Sequence, residues 1–183
     1  TNLPSSAETT LASPNLSITE LSQLISQKRF GYISRGLWME IAQLVLEMRS
    51  DGLPIAGFSS FSSASGAEGD LYLLNDYDLK KYLLKMPKMA HGNRWRKDEI
   101  AMIQVLQGIP GVPILYWYEQ KNLNAYVMEY FPMETLWHIS ISTEIRDIKF
   151  YVEAVIQLLL ILDQVHAKNL IHGYLTTHNV TLD

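Results

Sequence analysis

The sequence contains no cysteine. Disulfide staples, cysteine-based metal sites and a thiol nucleophile are therefore excluded. An excess of one charge sign is also missing: 15 Lys and Arg, scattered along the chain, stand against 19 Asp and Glu. Such a balance gives no electrostatic case for nucleic acid or an anionic membrane surface. Long apolar runs are absent too. The longest, Val155–Leu162, is interrupted by Gln157 and falls far short of the roughly 20 residues needed to span a bilayer. The chain opens TNLPSSAETTLASPNLS, a polar stretch unlike a signal peptide. The expectation is a soluble, cytoplasmic protein without nucleic-acid or membrane partners.

Metal and hydrolase signatures are missing as well. His91, His138, His166, His172 and His178 show no HExxH or Cys/His ligand spacing. His172 and His178 share a loop, where a structural His172 bonded to backbone is preferred over a metal pair. No G-x-S-x-G elbow occurs, and Thr177-His178 has no carboxylate partner for a triad. Asn15-Leu16-Ser17 and Asn179-Val180-Thr181 match the glycosylation acceptor pattern but lack a secretion signal to give them meaning.

What the chain does have is enough apolar sequence for one domain: 183 residues, 48% of them apolar. Residues 1–16 are rich in Ser, Thr, Pro and Asn and read as a flexible leader. Ser17-Ile18-Thr19-Glu20 is a capping box opening a helix to about Gln27. The spacing of Leu37, Ile41, Leu44, Val45 and Met48 predicts a second helix from about Ser34 to Arg49, with Gly52 as its stop. The period then changes. Ile55–Phe61, Leu71–Leu74 and Tyr82–Met86 read as strands of a meander, the last two joined by the turn-rich Asn75-Asp76-Tyr77-Asp78. Arg94–Gln107 reads as a helix, and Val112–Tyr118 and Asn124–Glu129 as two more strands. Residues 148–166 form a long helix, apolar nearly all round and so expected to be buried on most sides. Strands and helices are segregated, which makes the class α+β.

Four stretches within residues 54–183 resemble the eukaryotic-type protein kinase family. Ala64-Ser65-Gly66-Ala67-Glu68-Gly69-Asp70-Leu71 is similar to its glycine-rich loop G-x-G-x-x-G-x-V, with Ala64 in place of the first glycine. Glycines there let backbone amides close on phosphate oxygens, although Glu68 is repulsive beside a phosphate. Tyr82-Leu83-Leu84-Lys85 looks like the V-A-I-K strand, its lysine fourteen residues after Leu71. Glu99, ahead of Ile100, Ile103 and Leu106, takes the place of the helix glutamate that pairs with that lysine. Ala125-Tyr126-Val127-Met128-Glu129-Tyr130-Phe131, with Leu136 beyond, resembles the hinge strand. By that match Met128 is the gatekeeper, and the backbone of Glu129 to Phe131 faces an adenine. Val165-His166-Ala167-Lys168-Asn169-Leu170-Ile171-His172 resembles the run into the catalytic loop. The family continues H-R-D-L-K-P-x-N, whereas this chain continues His172-Gly173-Tyr174-Leu175-Thr176-Thr177-His178-Asn179.

The resemblance implies a kinase-like small lobe, with five antiparallel strands and one helix, over residues 53–131. Residues 132–183 then correspond to a truncated helical large lobe that ends at the catalytic-loop region, and residues 17–52 to an N-terminal helical extension. It implies ATP as cofactor, held by Gly66, Gly69, Leu71, Lys85, Glu99, Met128, Glu129 and Phe131. Its chemistry, however, is missing. The loop of His172, Tyr174, Thr176 and Asn179 is degenerate: Tyr174 replaces the catalytic Asp, Thr176 replaces the Lys, and no D-F-G segment follows. Phosphoryl transfer needs a carboxylate to orient the acceptor, a cation near the γ-phosphate and carboxylate-held Mg²⁺. Asn179 alone is a poor Mg²⁺ ligand set. The expectation is a catalytically impaired, regulatory or protein-binding domain, with a protein partner on helix 148–166 or on the N-terminal helices. The alternative is a fragment of a larger divergent Ser/Thr-type kinase. On the truncated reading, Val155, Leu158, Leu159 and Leu162 stay bare unless the N-terminal helices or another molecule cover them.

Overall fold

The computed structural model describes residues 9–10, 35–60, 69–87, 94–121, 125–132, 134–141, 147–173 and 175–182. Two compact units divide the chain: residues 1–100 with 115–129, and residues 101–114 with 130–183. The capping box at Ser17–Glu20, its helix, and Ala64–Glu68 of the glycine-bearing loop lie outside the described residues.

The first unit is built on one antiparallel sheet. Its strands are β1 (Thr9–Thr10), β2 (Ile55–Ser60), β3 (Gly69–Asp76), β4 (Lys81–Pro87), β5 (Leu115–Tyr118) and β6 (Tyr126–Glu129). They lie in the order β1-β2-β3-β4-β6-β5. Two helices join them, α1 (Arg35–Ser50) and α2 (Arg94–Leu106), and the boundary between the units passes through α2. The class is thus α+β, with five substantial strands. Of residues 1–16, read as a flexible leader, only Thr9 and Thr10 are among the described residues. Thr9 and Thr10 pair with Phe58 and Gly57, supplying ladder partners to β2, which would otherwise be an edge.

Burial alternates along β3 and β4 with the period of two that opposite sheet faces impose. Tyr72, Leu74, Tyr82, Leu84 and Met86 are buried, whereas Leu71, Leu73, Leu83 and Lys85 are only partly so. The buried face meets α1. Trp38, Ile41, Ala42, Leu44, Val45 and Met48 recur at helical spacing and form one cluster with Phe58, Leu74, Leu84, Trp117 and Val127. The Trp38 and Phe58 rings lie 4.2 Å apart, tilted by 48°. Each such aliphatic side chain, fully buried, stabilises by roughly 1.5–3 kcal/mol. The sheet covers the apolar stripe of α1. The end of α1 is fixed by Gly52 at φ 91° and by Leu53 N–H donating to the Met48 carbonyl at 2.8 Å. Trp117 Nε1 donates to Asp51 Oδ2 at 2.7 Å, tying β5 to that end.

β5 begins three residues later than the strand read at Val112. Gly111 turns the chain at φ 86°, and Gln107 Nε2 donates to the Pro113 carbonyl at 3.1 Å. These bonds hold residues 112–114 in a turn after α2.

The second unit contains α3 (Leu136–Ile141) and α4 (Ile148–Ala167). α3 was not anticipated. It is short, and Thr135 caps it, its hydroxyl accepting from His138 N–H at 3.4 Å. α4 starts at Asp147, whose carboxylate accepts from Phe150 N–H at 2.8 Å. It ends at Ala167, and Asn169 just beyond is left-handed at φ 57°. Gly111 approaches α4 so closely that an added Cβ would stand 2.5 Å from Ile161 Cδ1. The expectation that α4 is buried on most sides is overturned: only Val165 is buried, while Val155 is 51% and Leu159 58% exposed. Its apolar residues outnumber the positions one packed face can cover.

Candidate functional site

The β3–β4 hairpin sets the position of the lysine singled out in the sequence. Asp76 is buried at the turn, and its Oδ1 accepts from the backbone N–H groups of Asp78 and Lys80, both at 2.9 Å. Its Oδ2 accepts from Tyr82 OH at 2.8 Å. Burial, and then this bond to Asp76, raises the Tyr82 phenol above its ordinary range. Tyr72 is likewise pushed up to about 12, by burial first and then by the charges of Asp70 and Glu40. With the turn fixed, the register is fixed: Leu71 stands opposite Lys85, and Lys85 opposite Tyr126 on β6.

Lys85 therefore points away from the face that α1 covers. There its Nζ meets Glu99 Oε1 of α2 at 2.5 Å. Both side chains are partly exposed, 20% for Lys85 and 32% for Glu99. The ammonium also stands 5.9 Å from the centroid of the Tyr126 ring. Glu99 is presented by the turn of α2 that buries Ile100. Lys85 is thus a cation fixed by a carboxylate and still open to solvent. Such an arrangement can hold an anionic group such as a phosphate.

Among the other residues singled out, Gly69 opens β3, and Leu71 lies half-buried on the same face as Lys85. Met128 and Glu129 end β6, half-buried, and Phe131 follows them, also half-buried. Leu83 stands directly opposite Met128. Gly66 lies outside the described residues, as does Tyr174. Tyr126 was not picked out from the sequence. Its signal was there: it stands two residues before Met128, and alternation puts both on one face.

In the second unit His172 is exposed, Thr176 is half-buried and Asn179 is exposed. Asn179 N–H donates to the Thr176 carbonyl at 3.0 Å, closing a turn. The segment beyond pairs with residues before α3. Leu136 N–H donates to the Val180 carbonyl at 2.7 Å, Trp137 N–H to that of Thr177 at 3.0 Å, and Thr135 bridges Thr181. The His178 ring stacks on Trp137 at 4.7 Å. No local pattern points to this stack, because the two rings are 41 residues apart. Among the described residues, no three His, Cys, Asp or Glu side chains gather as a metal site. No described helix is long and apolar enough to cross a membrane. A scan against protein-family models finds no match to this chain, and a search of curated proteins finds none either.

Proposed function

We propose that the chain is a protein-kinase-like domain, catalytically impaired, that acts as a regulatory or protein-binding module. The observation that carries this reading is the Lys85–Glu99 ion pair, which links β4 to α2 on the sheet face that α1 leaves uncovered. An all-antiparallel sheet with a helix between β4 and β5 supports it, as does the apolar surface of α4. ATP is the ligand the pair would take, with Lys85 holding phosphate oxygens and Glu99 holding Lys85 in place. When bound, ATP would offer a transferable γ-phosphoryl group. The chain supplies no carboxylate at position 174 to orient an acceptor and no cation at position 176.

Two measurements on the purified chain test the reading. With radiolabelled ATP and Mg²⁺, no phosphate should reach the chain itself or a general protein substrate. Transfer that disappears in Lys85→Met would overturn catalytic impairment. ATP should also raise the unfolding midpoint of the wild-type chain and leave that of Lys85→Met unmoved. An equal rise in both would remove Lys85 from the site.

A further inference from the structure

We propose that Tyr126 is a positioning residue for Lys85, its ring face holding the ammonium beside Glu99 before any ligand arrives. The proposal rests on reading Lys85 as the group that takes nucleotide phosphates, and it names what steadies that group. Lys85 has two cross-strand neighbours: Leu71 of β3 and Tyr126 of β6 stand directly opposite it. Residues so paired lie on one face of a sheet, with their side chains in reach of each other. Leu71 offers the lysine stem an apolar surface only. Tyr126 also offers an aromatic ring, whose face is negative. The Lys85 Nζ stands 5.9 Å from the centroid of that ring, within the reach of a cation–π attraction.

The ion pair alone is a weak restraint. The Lys85 and Glu99 side chains are 20% and 32% exposed, and pairs in contact with water hold by no more than about fivefold. A lysine stem is long and flexible, and the entropy lost in fixing it opposes that attraction. A second contact on the ammonium is then worth as much as the first, about two- to fivefold for a ring face. The burial of Tyr126 suits it to the task. Tyr126 is 1% exposed, yet it stands outside the cluster packed beneath α1. Tyr72 and Tyr82, the other buried tyrosines among the described residues, belong to that cluster. Tyr126 is thus enclosed on the side of the sheet where Lys85 and Glu99 meet. An enclosed ring keeps its place and does not swing away from the cation.

The test keeps the ring and empties its face. Tyr126→Phe and Tyr126→trifluorophenylalanine are made in the whole chain, because fluorine withdraws the charge that attracts a cation and barely changes the shape. Acetylation of Lys85 by acetic anhydride is followed by mass spectrometry without ligand, with the exposed Lys149 as internal reference. Lys85 should react about two- to fivefold faster in the fluorinated chain than in Tyr126→Phe, with Lys149 unchanged. Equal rates at Lys85 overturn the proposal. ATP and adenosine are then titrated calorimetrically into the same two chains. The Kd for ATP should rise by about two- to fivefold on fluorination, while that for adenosine, which has no phosphate, should stay where it is. A parallel rise in both would make Tyr126 a general contact of the ligand and overturn the proposal too. A chain that binds neither ligand would sink the nucleotide reading alone, because the acetylation needs no ligand and still decides the role of Tyr126.

Discussion

Helices α1 and α4 are both long and both rich in Leu, Ile and Val, yet they meet opposite fates. In α1, Ile41, Val45 and Met48 are wholly buried. In α4, the longer and more apolar of the two, Val165 alone is buried. Apolar content therefore does not decide burial in this chain. α1 concentrates its large side chains on one stripe, and one face of the sheet offers a matching surface of Phe58, Leu74, Leu84 and Val127. α4 spreads its apolar residues over more of its circumference than a single packed side covers, so half of them face outward.

Truncating one residue on each helix should separate the two fates most widely. Ile41→Ala removes packing from a fully enclosed site and should cost about 2–5 kcal/mol. Leu159→Ala, examined at low protein concentration, removes atoms already in water and should stay within about 0.5 kcal/mol. Urea unfolding followed by circular dichroism measures both. A cost for Leu159→Ala close to that of Ile41→Ala would mean that α4 is covered in solution by its own chain.

The one place where α4 is closely held gives a smaller effect. Gly111 is left-handed, and a Cβ there would meet Ile161 Cδ1. Gly111→Ala should therefore destabilise by about 1–3 kcal/mol through strain and contact together. Ile161→Val deletes the opposing methyl and should itself cost about 0.5–1.5 kcal/mol. If contact matters, the double variant costs less than the two single costs added. Strict additivity would leave backbone strain as the whole cause and show that Ile161 yields without penalty.

Much of the sheet was legible in the sequence, because its signal is local. Tyr72 and Leu74, then Tyr82, Leu84 and Met86, alternate with residues of the other face, and alternation is what a half-covered strand requires. α1 was legible through its single stripe. Lys85 and Glu99 could be singled out by spacing, but their meeting at 2.5 Å depends on the β3–β4 register, set by Asp76 and the Tyr82 hydroxyl. Other features depended on partners distant in sequence. Val112-Pro113-Ile114 looks like the start of a strand until Gln107 ties the Pro113 carbonyl back toward α2. The stack of Trp137 on His178 needed two segments to be brought together. The exposure of α4 was misread for the same reason. Periodicity tells which residues share a side of a helix, and only the rest of the fold tells how many sides find cover.

The covered face of the sheet should also differ from α4 in its response to alkali. Tyr72 and Tyr82 lie beneath α1, and burial pushes both phenols above the value of about 10 that they have in an unfolded chain. The folded chain thus holds these two protons more tightly than the unfolded chain does. Their contribution is fully present below pH about 10 and is lost as pH rises further, on the order of 1 kcal/mol for each tyrosine by about pH 11. Tyr82→Phe removes one of the two groups, together with the hydrogen bond to Asp76. It should cost about 1 kcal/mol near neutral pH and flatten the alkaline fall. Urea midpoints at a series of pH values give the two slopes. If the variant falls as steeply as the wild type above pH about 10, the Tyr82 phenolate is accommodated beneath α1, and that face opens to water more readily than its packing implies.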